Sequence, residues 1–153
     1  HVMSSSSSSV KPMAMIILVI GAGGAFKQVL VDSGIADYIK ELTNGWDISP
    51  IVLAWLIAAI LRIALGSATV AVMTAAGVVL PIAQASGISL ELMTLAVTCG
   101  SIAFSHVTDP GFWMFKEYLN LSVGQAIKIR TTYTTALGIL GLFGVLILNM
   151  FIG

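Results

Sequence analysis

Apolar residues fill long stretches of this chain, and short polar segments separate these stretches at intervals that suit membrane-spanning helices. Residues 13–31 form one such stretch, and residues 131–152 form another that contains no charged residue. A helix needs about 20 consecutive apolar residues to cross the hydrocarbon core of a bilayer. We therefore predict transmembrane helices over residues 13–31 and 131–152.

The apolar stretch over residues 50–85 is too long for one span and is interrupted near its middle. A continuous helix over residues 50–80 would be about 46 Å long, whereas the hydrocarbon core is roughly 30 Å thick. The small residues Gly66–Thr69 interrupt it, and glycine weakens a helix. The pattern predicts a helix on each side of this break. The two helices are either two short spans or a re-entrant hairpin with its tip at Gly66–Thr69.

Residues 89–115 contain a second interruption. They begin as an apolar helix and run into Asp109-Pro110-Gly111, after which aromatic and apolar residues resume at once. Asp-Pro and Pro-Gly are strong turn signals. We predict a helix that is broken within the membrane.

Two polar, amphipathic segments complete the pattern. Residues 32–45 are predicted to form an interfacial helix, and residues 116–130 an amphipathic loop. Lys116, Lys128 and Arg130 cluster in this loop, and short loops rich in Lys and Arg face the cytoplasm. The loop is therefore predicted to be cytoplasmic, which places the C-terminus on the external side of the membrane.

The composition supports a membrane protein. Of the 153 residues, 58% are hydrophobic and 9% are charged, whereas a soluble domain carries about 25% charged residues. The formal net charge is zero, so the chain has no electrostatic footprint for nucleic acid. Residues 1–12, with their serine run, are predicted to be an added tag and linker, and residues 13–153 a piece of a longer membrane protein.

The two breaks predict a binding site. Unwound backbone is tolerated at membrane depth only where it is buried in protein or lines a wet cavity, and paired interruptions indicate the binding site of a transporter. A helix that starts at Ala68 presents free N–H groups and a positive dipole end, which favour an anion. We predict that Gly66, Ser67 and Thr69 contact an anionic substrate.

Arg62 lies one turn before this break, where a charge in the membrane needs a role. An arginine at the bilayer centre costs about 2.5–3.5 kcal/mol on insertion scales. Its guanidinium suits the capture of a substrate carboxylate. It equally suits a structural role, either in a pair with Asp109 or in snorkelling to an interface, and the sequence leaves both interpretations open.

His106 and Asp109 lie in the second break and are the candidate proton-coupling residues. Histidine titrates near neutral pH, and a carboxylate in a dry site can also exchange a proton. The alternative is structural: Asp109 caps the helix that starts at Pro110, and His106 donates to a backbone carbonyl. No metal site and no cofactor other than a coupling proton are predicted. A hydrolytic arrangement of Ser105, His106 and Asp109 is rejected, because adjacent helical residues do not face each other.

Three blocks resemble the gluconate:proton symporter family, in about its C-terminal third. They read "GAGGAFKQVLVDSGIADYI", "ALGSATVAVMTAAGVVLPI" and "SHVTDPGFWMFKEY", in the family's order. The resemblance covers residues 13–153 and implies a permease for gluconate or a related sugar acid. The family also includes a D-serine permease.

The resemblance further implies an all-α polytopic membrane protein that is one half of an inverted-repeat transporter. In such transporters each half carries a re-entrant helical hairpin and a broken transmembrane helix, and the N-terminal half supplies the opposing hairpin. The hairpin tip of related anion symporters often reads Ser-Asn-Thr. Here Ala68 replaces the asparagine, which fits coupling to protons better than to sodium.

The expected function is proton-coupled uptake of a small, gluconate-like organic anion by alternating access in the bacterial inner membrane. The expected partners are this anion, the lipid bilayer and the N-terminal half of the same transporter, and a homo-oligomer is compatible with the sequence. The alternatives are a permease for D-serine or another small organic anion, and a membrane assembly half that does not transport.

Overall fold

The computed structural model describes residues 48–152 and five separate positions nearer the N-terminus. These five positions are helical and exposed: Leu18, Gly21, Ala25, Val29 and Asp32. The predicted tag over residues 1–12, and all but these positions of the predicted helices over residues 13–31 and 32–45, lie outside the described residues.

Every regular element of the described residues is helical, which confirms the predicted all-α class. In chain order these elements are α1 (Pro50–Leu65), α2 (Ala68–Ser86), α3 (Leu90–Ile102), α4 (Pro110–Tyr118), α5 (Val123–Ala126), a π-helical turn (Ile127–Thr131) and α6 (Thr132–Ile152). The last three run on without a gap as one helical rod of 30 residues, Val123–Ile152. This rod and α2 are the two described helices that are long and apolar enough to cross a membrane.

The interruption between α1 and α2 is a two-residue tip with defined local geometry. Gly66 adopts a left-handed conformation with φ of 72°, and its N–H donates to the carbonyl of Arg62. The Ser67 hydroxyl then caps α2 by accepting from the Val70 N–H at 3.4 Å. A Cβ at position 66 would lie 2.5 Å from the carbonyl oxygen of Thr108. Glycine is therefore required both by the backbone angle and by the contact with the second break.

The second interruption is longer. It covers residues 103–109, between the end of α3 and the start of α4. Asp109 caps α4, because its Oδ1 accepts from the Gly111 N–H at 2.8 Å. Pro110 follows at the first helical position, where its missing N–H has no consequence.

Helix α3 is the centre of the bundle and packs against α1, α2 and α6. Small residues allow the close approach: Ala58 and Ala96 are fully buried. At Gly100 a Cβ would collide with the carbonyl of Trp55. The indole of Trp55 donates to the carbonyl of Gly138 at 2.9 Å and so joins α1 to α6. Small residues and interhelical hydrogen bonds are the main means of helix association in lipid.

Residues 116–130, for which the sequence predicts an amphipathic loop, are mostly helical in the structure. They comprise the end of α4, a short connection over residues 119–122, α5 and most of the π-helical turn. The charged residues at 128 and 130 thus lie on the helical rod that leads into α6.

The helix packing predicts different effects of two glycine-to-alanine substitutions on thermal stability. Gly100→Ala places a methyl group against the backbone of α1, and overpacking of this kind costs about 1–3 kcal/mol. Gly144→Ala is the matched control, since nothing lies within 4 Å of its added Cβ. Thermal unfolding of the detergent-solubilised protein should show a lower midpoint for Gly100→Ala and an unchanged or higher one for Gly144→Ala. Equal midpoints for the two variants would contradict the packing described here.

Candidate functional site

A polar pocket lies where the two interruptions meet the π-helical turn. Its volume is about 330 Å³. Its lining comes from the α1–α2 tip, from the second interruption and its flanks, and from the helical rod: Arg62, Ser67, Ala68, Thr69, Ile102, Ser105, Asp109, Pro110, Arg130 and Thr134. Of the residues that the sequence singles out, Arg62, Ser67, Thr69 and Asp109 are therefore brought together.

The carboxylate of Asp109 is the centre of this pocket. Its Oδ2 accepts from Arg62 Nη2 at 2.5 Å and from the Ser105 hydroxyl at 2.5 Å. Arg130 Nη2 approaches the same oxygen at 3.3 Å. Its Oδ1 is occupied by the backbone N–H of Gly111. One carboxylate thus links α1, the second interruption, α4 and the helical rod.

Arg62 makes the structural pair that was one of its two predicted roles. The residue is only 3% exposed. Nη1 donates to the carbonyl of Gly66 in a short hydrogen bond, and Nη2 donates to Asp109. Nε has no hydrogen-bond partner among the described residues. The guanidinium therefore fastens the α1–α2 tip to the start of α4.

Arg130 was missed as a site residue by the sequence reasoning, which used it only as a loop charge for orientation. Its Nε donates to the Ser105 hydroxyl at 3.0 Å, and its Nη1 to the hydroxyl of Tyr133 at 3.3 Å. Its guanidinium carbon lies 5.5 Å from the centre of the Phe115 ring, which is a cation–π distance. The signal in the sequence was the group of four threonines that follows it at the start of an otherwise apolar helix, among them Thr131 and Thr134.

Thr131 and Thr134 satisfy the unwound backbone at Ser105. The Thr131 hydroxyl donates to the Ser105 carbonyl at 2.6 Å, and the Ser105 N–H points to the Thr134 hydroxyl at 3.4 Å. Buried backbone groups need such partners. The Ser101 hydroxyl, inside α3, bonds to the carbonyl of Thr98. The Ser105 hydroxyl bridges Asp109 and Arg130 instead, because residue 105 lies outside the helix.

His106 lies beside the pocket and is not part of its lining. Its Nδ1 is 2.9 Å from the Phe104 carbonyl, and its Nε2 is 3.2 Å from the Thr108 hydroxyl. Since a carbonyl can only accept, Nδ1 carries the proton in this arrangement. The contact of His106 with the Phe104 carbonyl is the one that the structural interpretation of His106 predicts. The bond from the Gly111 N–H to Asp109 is the helix cap that the structural interpretation of Asp109 predicts.

The start of α2 differs from the start of α4 in having free donors. The N–H groups of Ala68 and Thr69, and the exposed hydroxyl of Thr69, have no hydrogen-bond partner among the residues that the structure describes. Two guanidinium groups and one carboxylate line the pocket, which gives it a net charge of +1 from these side chains. Together with the positive end of α2, this charge favours an anion.

A second cavity of about 240 Å³ lies between α2 and α3. Its lining is apolar apart from Thr94, so it offers no charged group to orient a ligand. The polar pocket is the better candidate for the functional site.

The position of Asp109 predicts a large loss of stability for Asp109→Asn. Removing the charge leaves Arg62 buried without its counter-ion, and breaking a buried pair costs about 3–5 kcal/mol. Glu117→Gln is the control, because it breaks the exposed pair with Lys116, which is worth about 0–1 kcal/mol. Thermal unfolding in detergent should show a much lower midpoint for Asp109→Asn alone. Similar midpoints in both variants would refute a structural role of the Asp109 carboxylate.

Comparison with known proteins identifies the family. The family described as GntP family permease matches residues 1–151. The chain is 56% identical to a high-affinity gluconate transporter of Escherichia coli K12, with 95% of this chain and 33% of the relative aligned. It is 53% identical to the Gnt-II system L-idonate transporter of the same strain, with 92% and 32% aligned, and 49% identical to a gluconate permease of Bacillus licheniformis, with 99% and 34% aligned.

The chain thus spans about a third of the length of these relatives. No solved structure matches it. Because a family match over nearly the whole chain accompanies this level of identity, the chain belongs to the GntP family of permeases.

Proposed function

We propose that this chain is part of a permease for gluconate or a closely similar sugar acid, and that the polar pocket binds the substrate carboxylate. The observation that carries the proposal is the net positive charge of the pocket beside the open N-terminus of α2. A monocarboxylate would neutralise that charge. The names of the relatives agree in the chemistry of the substrate, since gluconate and L-idonate are both polyhydroxy acids with one carboxylate.

The residues of the tip would divide the recognition among them. The N–H groups of Ala68 and Thr69 would donate to the carboxylate, as N–H groups at helix N-termini do for anions. The hydroxyls of Ser67 and Thr69 would bond to substrate oxygens. Arg62 would add positive potential while it stays bonded to Asp109, and Gly66 would allow the chain to turn close to the second interruption.

Helix lengths support a site near the middle of the bilayer. Helix α4 has nine residues and is therefore about 13 Å long, roughly half of a 30 Å hydrocarbon core. If the connection over residues 119–122 lies at the membrane surface, Asp109 lies near the midplane. We propose that α1 and α2 form a re-entrant hairpin whose tip reaches this depth. Both helices are longer than half a bilayer, so the hairpin would enter at a tilt.

The rest of the transporter would come from the part of the relatives that this chain does not cover. We propose an inverted repeat in which the N-terminal half supplies the opposing hairpin and alternating access moves the two halves around the substrate. The site would lie in the bacterial inner membrane. Lys116 and Lys128 flank the connection over residues 119–122, so this connection would be cytoplasmic and the C-terminus periplasmic.

Proton coupling is the proposed driving mechanism, with His106 or Asp109 as the proton-linked group. His106 contacts Thr108, whose backbone packs against Gly66. A change of charge on the His106 imidazole would therefore affect the α1–α2 tip. Asp109 contacts both arginines, so its protonation would weaken its hold on both of them.

Uptake measurements on the intact permease test the function. Labelled gluconate should accumulate, accumulation should collapse with a protonophore, and removal of sodium should leave it unchanged. Excess unlabelled L-idonate should compete more strongly than D-serine, because only the former offers several hydroxyls beside the carboxylate. Preferred transport of D-serine would instead favour the other substrate class, and binding of the N-terminal half without any uptake would favour an assembly role.

A single hydroxyl at the tip should also matter. Thr69→Val keeps the shape of the side chain but removes its hydroxyl, and the loss of one hydrogen bond of about 0.5–1.5 kcal/mol predicts a roughly 2- to 10-fold higher KM for uptake. Thr98→Val is the matched control, since the exposed Thr98 hydroxyl donates only to the carbonyl of Thr94. Both variants should insert into the membrane at the wild-type level. Wild-type kinetics in Thr69→Val would exclude the tip hydroxyl from substrate binding.

A further inference from the structure

The two arginines of the pocket differ in how fully Asp109 compensates their charge and in how exposed they are. Arg62 has a side chain that is 3% exposed and pairs with Asp109 at 2.5 Å. Arg130 has a side chain that is 19% exposed and lies 3.3 Å from the same carboxylate oxygen. Asp109 can neutralise only one positive charge, and its shorter contact goes to Arg62. The second guanidinium is therefore the less compensated and the more accessible of the two.

The remaining contacts of Arg130 would orient its guanidinium without neutralising it. The Ser105 and Tyr133 hydroxyls accept from Nε and Nη1, and the Phe115 ring lies beneath the guanidinium carbon. None of these partners carries a negative charge. An arginine fixed in this way is prepared for an anion that approaches from the pocket, because little side-chain freedom remains to be lost on binding.

The backbone at Arg130 supports a functional role. Residues Ile127–Thr131 form a π-helical turn inside an otherwise α-helical rod. Such turns are rare and occur frequently at functional sites. This one also carries Thr131, whose hydroxyl holds the Ser105 carbonyl, so it couples the position of Arg130 to the unwound segment that lines the pocket.

We propose that Arg130 is the substrate-binding arginine of this site and that it exchanges Asp109 for the carboxylate of the transported acid. In the state described here Nη2 rests against Asp109, which stays bonded to Arg62 throughout. An entering carboxylate would take Nη2 into a charge-assisted hydrogen bond, opposite the N–H groups of Ala68 and Thr69. The inference deepens the proposed function and depends on it, since it assigns the recognition of the carboxylate to a residue on the helical rod.

The exchange predicts a change in selectivity, which distinguishes recognition of charge from support of the pocket. Binding of gluconate and of its uncharged amide, gluconamide, would be measured on the purified intact permease, the wild type and Arg130→Gln. A charge-assisted hydrogen bond of about 1.5–3 kcal/mol predicts that Arg130→Gln weakens gluconate binding by roughly 10- to 150-fold. The affinity of Arg130→Gln for gluconamide should stay within about threefold of the wild-type affinity, a difference well below the energy of one charged hydrogen bond.

Two further variants complete the design. Arg130→Lys keeps the charge without the planar fork and should recover part of the affinity for gluconate. Lys128→Gln removes a neighbouring charge of the same π-helical turn that does not line the pocket, and it should bind both ligands like the wild type. The midpoint of thermal unfolding would be recorded for each variant, so that a general loss of folding is recognised.

The outcomes separate this inference from the proposed function. Three results would overturn the role of Arg130 while gluconate binding by the wild type stands. They are an equal loss of affinity for both ligands in Arg130→Gln, wild-type affinity for gluconate in that variant, and no recovery of gluconate affinity in Arg130→Lys. A wild-type permease that binds no gluconate would overturn the proposed function and, with it, this inference.

Discussion

The pairing of Asp109 with Arg62 is the interaction on which the rest of the site depends. It is buried and short, and it joins the two interruptions of the chain, since Arg62 also bonds to the carbonyl of Gly66 and Asp109 also caps α4. A buried ion pair is stable only when further hydrogen bonds satisfy its remaining groups, and here the Ser105 hydroxyl and the Gly111 N–H do so. The α1–α2 tip and the start of α4 are thereby held at one point, which creates the pocket.

The helical rod explains how the unwound chain of the second interruption is stabilised. Residues 103–109 lie outside regular helix, so their buried backbone groups need hydrogen-bond partners from elsewhere in the fold. The hydroxyls of Thr131, in the π-helical turn, and of Thr134, in α6, supply two of the missing bonds. The same turn carries Arg130 to this place. The helical rod is therefore a structural support of the second interruption as well as a wall of the pocket.

Sequence reasoning reached the helices and the tip because local rules govern both. Glycine and serine at 66 and 67, and Asp109 followed by Pro110, are local signals for a helix end and a helix start, and the helix ends in the structure lie at these residues. The contribution of Arg130 depends on tertiary packing, since it lies 21 residues from Asp109 in a segment whose polarity resembles that of a surface loop. A π-helical turn has no comparable local signature, so the path of this side chain into the pocket could not be read from spacing.

The asymmetry between the two helix N-termini supports the proposal that the pocket binds an added anion. Both α2 and α4 begin at the pocket and both present a positive dipole end to it. The start of α4 is already neutralised by its own Asp109, whereas α2 begins with the uncharged Ser67, whose hydroxyl reaches only Val70. An acidic residue at position 67 would cap α2 equally well and would cancel the remaining charge. Serine at this position therefore caps the helix and leaves its first N–H groups free for the proposed carboxylate, beside an arginine that Asp109 compensates only in part.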